Sequence, residues 1–210
     1  MRGVLRKNLA NLVVLLRTVM VLAAIGMLGA AGQDIRFCGL VVLFLACVMD
    51  WLDGFLARWL GVASQVGGLL DTLADRITEN LLFVFLAYHH LVPLLVPIFF
   101  ICRSFLADFV RALLFKRGIG GFAVQTSALG RLLVSSRSSR VLYLLVKLAV
   151  FLAGGAVLVA SSPASAESEW LAIVRPLVWE FSLLATCFSL VRFVLLLYDS
   201  RRVLAEEFGR

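Results

Sequence analysis

The chain has 210 residues, 62% of them apolar, and a mean hydropathy of +1.01. Soluble domains average about 45–50% apolar residues, so the composition argues against a soluble globular protein. The formal net charge of +7 lies mostly between apolar runs, and no stretch combines basic with aromatic side chains as a nucleic-acid surface does. We therefore expect no nucleic-acid partner and a lipid bilayer as the main solvent.

Six apolar segments predict an all-α membrane protein with six transmembrane helices. About 20 residues at 1.5 Å rise per residue cross a hydrocarbon core of about 30 Å. No soluble part is left over, so one membrane domain over residues 1–210 is predicted. The six segments are Asn11–Ala31, Phe37–Leu60, Gly67–Tyr88, Pro93–Phe115, Val141–Ala160, and a last one from Trp170 or Pro176 to Tyr198. Polar stretches from Lys116 to Arg140 and from Ser161 to Glu169 separate the later segments.

The basic residues fix the predicted orientation, because Lys and Arg concentrate on the cytoplasmic side of membrane proteins. One set of connecting segments is strongly basic, whereas the opposite set holds Arg36, Glu167 and Glu169. Six spans then leave both termini in the cytoplasm. The basic set is Arg2, Arg6, Lys7, Arg58, Lys116, Arg117, Arg131, Arg137, Arg140, Arg201, Arg202 and Arg210.

Charged residues inside the predicted spans indicate function, because an ionised side chain at mid-bilayer costs at least ~2.5–3.5 kcal/mol. In this topology nearly all of them fall in the cytoplasmic half, which predicts a polar cavity open to the cytoplasm. Salt bridges within the bundle are the alternative, but carboxylates repel one another unless a cation is bound. The second and third spans concentrate Asp50, Asp53, Asp71, Asp75 and Glu79; the others hold Arg17, Arg103, Asp108, Arg111, Lys147 and Arg192.

Four aspartates have the spacing of a metal site. Asp50 and Asp53 are i, i+3 in one predicted helix, and Asp71 and Asp75 are i, i+4 in the next. Both spacings place the pair on one helix face. Carboxylate oxygens suit Mg²⁺ or Mn²⁺, and four of them could hold two ions that also bind phosphate oxygens.

The motif D-W-L-D-G-F-L-A-R, eight residues, then G-G-L-L-D-T-L-A-D resembles the signature of the CDP-alcohol phosphotransferase family. The resemblance implies the family's six-helix fold, a homodimer, a CDP-linked lipid substrate and two metal ions. It implies Asp50, Asp53 and Asp71 as metal ligands, and Asp75 as a ligand that is also the general base on the acceptor hydroxyl. Gly54, Arg58 and Ser64 would contact the CDP group, and Gly67 would let the ligand approach the backbone.

Weaker positions resemble the phosphatidylglycerophosphate synthase branch. The start N-L-A-N-L-V-V-L-L-R keeps Asn8, Asn11 and Arg17 of the branch pattern, which implies that Asn11 and Arg17 lie near the nucleotide. The branch then implies a phosphatidyl transfer from CDP-diacylglycerol to glycerol 3-phosphate at the cytoplasmic face of a bacterial inner membrane. Arg103, Arg111 and Arg131 match branch positions as well and are predicted to bind the anionic acceptor.

Alternatives stay open at this point. Arg111 could simply pair with Asp108, i, i+3, and Arg131 could simply be a positive-inside residue. Inositol phosphate or phosphatidylglycerol could replace glycerol 3-phosphate as the acceptor. A divalent-cation transporter is the alternative from another class, because it too places carboxylates inside a membrane.

Overall fold

The computed structural model describes residues 2–59, 65–117, 127–161 and 169–208, and these contain helices but no strand. The long helices are α1 (Arg2–Leu28), α2 (Gln33–Trp59), α3 (Gln65–Tyr88), α4 (Leu95–Lys116), α6 (Arg137–Ala160) and α7 (Glu169–Phe208). Between α4 and α6, the short helix α5 (Ala128–Gly130) continues into a π-helical segment, Arg131–Ser135. The all-α prediction is confirmed, and each of the six predicted segments corresponds to one long helix.

The helices extend beyond the apolar runs that predicted them. α1 begins at Arg2 rather than Asn11, and α7 continues past Tyr198 to Phe208. An apolar run marks the part of a helix suited to lipid, whereas Arg, Lys and Glu are good helix formers that prolong it. α6 begins at Arg137, inside the predicted polar stretch, where the Ser136 hydroxyl accepts a hydrogen bond from the backbone N–H of Ser139 (3.2 Å).

Two helices in the described part of the chain are long and apolar enough to cross a membrane: Arg137–Ala160 and Glu169–Arg201. Charged residues interrupt α3 and α4. Large apolar side chains are widely exposed, including Phe105 at 72% and Leu95 at 75%, which is the arrangement expected where lipid replaces water. Together these features indicate a membrane protein.

The first compact unit comprises Met1–Leu91 and Phe151–Val178. Within it α1 packs on both α2 and α3. α1 and α2 approach closely at Gly39, where a Cβ atom would lie 2.9 Å from the Cβ of Met27 and 3.0 Å from the backbone nitrogen of Leu28. A small residue at position 39 therefore allows α1 and α2 to pack this closely.

Arg36 joins two helix ends in the same unit. Its Nε donates to the carbonyl oxygen of Ala30 (2.6 Å), just after α1, and its Nη1 donates to that of Leu158 (3.0 Å), in the last turn of α6. Carbonyl groups at a helix C-terminus lack partners within the helix and carry partial negative charge. The Arg36 guanidinium donates hydrogen bonds to these carbonyl groups and also neutralises their partial negative charge.

The second compact unit comprises Val92–Val150 and Trp179–Arg210. α4 and the C-terminal part of α7 pack through a buried cluster of Ala107, Val110, Leu114 and Leu196. Beyond this cluster, Arg117 forms an ion pair with Glu206. The single domain predicted over residues 1–210 stays a prediction.

Candidate metal and substrate site

Two of the four predicted aspartates are described in full, and they lie one turn apart on α3. The side chains of Asp71 and Asp75 are 45% and 55% exposed. The i, i+4 spacing places both on one face of the helix, as predicted. Each carboxylate is thus anchored by the helix and still open to a ligand.

Arg17 of α1 joins these two carboxylates. Its Nη2 atom donates to Oδ1 of Asp75 at 2.6 Å and to Oδ1 of Asp71 at 3.3 Å. The Arg17 side chain is only 4% exposed. The two carboxylates therefore converge on one cationic group, supplied by a helix more than 50 residues away in sequence.

Glu79, one turn beyond Asp75, is arranged differently. It is buried and lies beside the guanidinium of Arg76, with 3.7 Å between Oε2 and Nη1. Among the side chains that the structure describes, no third His, Cys, Asp or Glu joins Asp71 and Asp75 in a metal-binding group.

The other predicted donor-lipid residues lie at the edge of what the structure describes. α2 is helical through Trp59, so Asp50, Asp53, Gly54 and Arg58 fall on one continuous helix. The side chains of Asp50, Asp53, Arg58 and Asn11, and the whole of Ser64, lie outside the described residues. Gly67 is partly buried in the first turn of α3. The roles of these residues stay predictions.

Arg103 of α4 is a buried cation in the second unit. It is 9% exposed, and within the described residues its Nη1 atom has no hydrogen-bond partner. A buried charge is costly unless it is paired and hydrogen-bonded. An anionic ligand would supply what Arg103 needs.

The two other predicted acceptor residues are exposed. Arg111 lies beside Asp108, with 3.3 Å between Nη1 and Oδ1, so the alternative pairing is present. Arg131 opens the π-helical segment. The segment is held by Ser127, whose backbone N–H and hydroxyl donate to the carboxylate of Asp199 in α7 (3.2 and 3.1 Å). The Ser127 hydroxyl in turn accepts from the N–H of Gly130 (3.0 Å).

Two further cations in this unit share one aromatic ring. The Nζ atom of Lys147 lies 4.5 Å, and the Cζ atom of Arg192 5.2 Å, from the ring centroid of Tyr143. Arg192 also donates from Nη2 to the carbonyl oxygen of Val134 (3.4 Å). The sequence analysis singled out both residues because they are charged and lie inside apolar segments. Their convergence on Tyr143, however, depends on how α6 and α7 pack.

Comparison with known proteins decides the family. Residues 7–179 match the CDP-alcohol phosphatidyltransferase family, which is most of the chain. This chain belongs to that family. The family predicted from the aspartate motif is therefore confirmed.

Several relatives of this chain have named activities. A probable phosphatidylglycerophosphate synthase of Mycobacterium tuberculosis is 30% identical over 115 residues, covering 53% of this chain and 55% of that protein. The CDP-diacylglycerol–glycerol-3-phosphate 3-phosphatidyltransferase of Bacillus subtilis is 30% identical over 83 residues, 40% and 43% of the two chains. A human cardiolipin synthase (CMP-forming) is 42% identical over 64 residues, 30% and 21%. The chain thus spans about half or less of the length of these relatives.

CDP-alcohol phosphatidyltransferases generally depend on a divalent metal ion. The pair on α3 fits such an ion in its chemistry, because Asp71 and Asp75 offer hard oxygen ligands that are partly exposed and already converge on a cation. Asp71 and Asp75 are thus the described residues best suited to hold it.

Proposed function

We propose that this chain transfers a phosphatidyl group from CDP-diacylglycerol to glycerol 3-phosphate and releases CMP. The observation that carries the proposal is the convergence of Asp71 and Asp75 on one cation, within the region that matches the family. Relatives named for this activity with glycerol 3-phosphate support the choice of acceptor.

The chain's own residues position the reactants and accept a proton from the attacking hydroxyl. The acceptor hydroxyl attacks the phosphorus bonded to diacylglycerol, the bond from that phosphorus to the CMP oxygen breaks, and CMP leaves. Asp75, 55% exposed, takes the proton of the attacking hydroxyl. Two divalent ions, Mg²⁺ or Mn²⁺, held by Asp50, Asp53, Asp71 and Asp75, would neutralise charge on the phosphate oxygens. The predicted donor-lipid residues are Asn11, Arg17, Gly54, Arg58, Ser64 and Gly67.

The predicted acceptor-binding cations are Arg103, Arg111 and Arg131. Arg103 is the strongest candidate, because it is buried and its Nη1 atom lacks a hydrogen-bond partner among the described residues. Lys147 and Arg192 join the predicted set with Arg111 and Arg131, because they bring two positive charges to one ring. A phosphomonoester carries close to two negative charges at neutral pH and needs more than one cation.

The setting that we propose is a bacterial inner membrane, crossed six times, with both termini and the active site on the cytoplasmic side. The distribution of basic residues supports this orientation. The protein would act as a homodimer, as the family resemblance implies.

An acceptor panel tests the proposal directly. Purified protein with CDP-diacylglycerol and Mg²⁺ or Mn²⁺ is offered glycerol 3-phosphate, inositol phosphate or phosphatidylglycerol, and CMP release and the lipid product are measured. We expect CMP and phosphatidylglycerophosphate with glycerol 3-phosphate. Turnover with only one of the other alcohols would reassign the acceptor, and a folded protein that releases no CMP with any of them would overturn the proposed chemistry.

A liposome experiment separates this enzyme from a divalent-cation transporter. Protein in sealed vesicles with a Mg²⁺-sensitive dye inside is compared with empty vesicles. We expect lipid turnover without protein-dependent Mg²⁺ entry, whereas Mg²⁺ entry without turnover would favour the transporter.

A further inference from the structure

The contact between Arg17 and the α3 carboxylates has properties that an ordinary surface ion pair lacks. The guanidinium is almost fully buried, while both of its carboxylate partners are about half exposed. The 2.6 Å distance to Oδ1 of Asp75 is slightly shorter than a typical charge-assisted N–H···O bond, which measures about 2.7–2.9 Å. The cation therefore sits behind the carboxylates, on their protein side.

The charge balance of this group explains why a cation is needed there. Two carboxylates one helical turn apart repel each other, and in apolar surroundings this repulsion is weakly screened. An arginine cannot lose its proton in a protein, so Arg17 neutralises part of this charge permanently. A divalent ion at this site would be held by the same two carboxylates.

We propose that Arg17 is a resident counter-cation of the carboxylate pair, which holds Asp71 and Asp75 together without metal and competes with the divalent ion for these two carboxylates. This inference rests on the proposed function, because it assumes that the divalent ion binds at Asp71 and Asp75. Arg17 thereby keeps the metal-free protein stable and makes the ion easier to release. This positioning role is additional to the predicted proximity of Arg17 to the nucleotide.

Metal affinity distinguishes competition from simple support. If Arg17 only held the carboxylates in shape, its loss would weaken metal binding. If it competes with the ion, its loss strengthens binding while it destabilises the metal-free protein. The two roles thus predict affinity changes of opposite sign.

The experiment measures the Kd for Mn²⁺ by electron paramagnetic resonance of the free ion, and the Tm in EDTA, for full-length protein without substrates. We expect Arg17→Gln to lower the Tm in EDTA and to tighten Mn²⁺ binding by about 5- to 150-fold, the usual range for coupling between two sites. Arg17→Lys keeps the charge but not the planar guanidinium, so its affinity for Mn²⁺ should lie between those of the wild type and Arg17→Gln. Unchanged or weaker Mn²⁺ binding in Arg17→Gln, or equal tightening in Arg17→Lys, would overturn the proposal.

Arg36→Gln is the matched control. Arg36 is an arginine of the same unit whose guanidinium donates to two carbonyl oxygens and not to carboxylates. Its substitution should lower the Tm and leave the Kd for Mn²⁺ unchanged. If the Kd for Mn²⁺ falls equally in Arg36→Gln, the tighter binding results from a general loosening of the fold, which would contradict competition by Arg17.

A measurement on the wild-type protein covers the case in which Arg17→Gln does not fold. In nitrogen-15 arginine spectra, a guanidinium held by two carboxylates rotates slowly and gives resolved Nη signals. The signals that are missing from the spectrum of Arg17→Lys are those of Arg17. We expect saturating Mg²⁺ to remove the resolved Arg17 signals, and their persistence would contradict competition. Failure of the proposed function would show separately, as wild-type protein that releases no CMP.

Discussion

Asp71 and Asp75 in one compact unit are about half exposed and share a buried arginine, whereas Arg103 in the other unit is itself buried. The Nη1 atom of Arg103 has no hydrogen-bond partner within the described part of the chain. The carboxylates are thus partly neutralised from within the protein, whereas Arg103 is suited to a charge from outside it. Because of this difference, removal of a single charge should have different effects on turnover and substrate binding in the two regions.

Removal of the Asp75 charge should have the largest effect. Asp75→Asn removes the proposed proton acceptor, and we expect CMP release to fall by about 10²- to 10⁴-fold, the usual contribution of a general base. Mn²⁺ binding should largely persist, because the other aspartates remain. Asp34→Asn, at an exposed position in the first turn of α2, is the control and should turn over normally. Normal turnover in Asp75→Asn would show that the base is another group.

Removal of the Arg103 charge should act on the acceptor instead. Arg103→Gln should raise the KM for glycerol 3-phosphate by about 10- to 100-fold, because a hydrogen bond to a charged group contributes about 1.5–3 kcal/mol. The fold should tolerate the change, because a buried charge is itself costly.

Arg111→Gln is the matched control for Arg103. Arg111 is exposed and already paired with Asp108, and such pairs contribute little, about 0–1 kcal/mol. Its KM should change much less than that of Arg103→Gln. Equal KM changes in the two variants would remove the distinction between the buried and the exposed cation.

The packing of α1 offers a way to disturb the carboxylates without touching them. A Cβ atom on Gly39 would meet Met27 and the backbone of Leu28, so Gly39→Ala should destabilise the protein by about 1–3 kcal/mol through overpacking. Gly26→Ala, where a Cβ atom meets nothing within 4 Å, should be neutral or stabilising. The Tm of the two variants checks this, and equal values would mean that α1 is not held at Gly39.

The smallest expected effect is a dependence of stability on pH at His89, in the turn after α3. Burial, and then the nearby charges of Arg36 and His90, lower the pKa of His89 below its ordinary value of 6.5. Between the two pKa values the folded protein binds fewer protons than the unfolded chain, so stability rises with pH there. The Tm should therefore fall slightly as the pH drops below about 6.5.

His89→Gln should reduce this decrease in Tm. His90→Asn is the control, because His90 is exposed and has a φ of 56°, a conformation that Asn tolerates. If the decrease in Tm disappears in His90→Asn and persists in His89→Gln, the effect belongs to His90 and the prediction for His89 is wrong.

The sequence was sufficient for the six long helices and for the family, because apolar runs and the aspartate motif are local signals. It was insufficient for α5 and the π-helical segment, which depend on contacts of Ser127 with Asp199 and of Val134 with Arg192. A polar stretch does not reveal that α7 provides partners for it. Tertiary contacts decide such structure, and a hydropathy pattern does not contain them.

The pairing of Arg17 shows the same limit at the site. The family resemblance predicted Arg17 near the nucleotide, and its guanidinium donates to Asp71 and Asp75. That partnership depends on how α1 packs against α3, a contact between helices that are distant in sequence. In contrast, the pairing of Arg111 with Asp108 was visible in the sequence, because it lies within one helical turn.

The length of α7 has a consequence for the surroundings of the protein. Its 40 residues extend about 60 Å at 1.5 Å per residue, twice the roughly 30 Å of bilayer hydrocarbon. Tilt alone would have to reach about 60° to accommodate it, beyond the observed range of about 0–40°. As a membrane span, α7 would therefore emerge in part into water, and its C-terminal part carries Asp199, which holds Ser127. The thickness of the surrounding bilayer would therefore affect α7 and, through Asp199 and Ser127, the π-helical segment Arg131–Ser135.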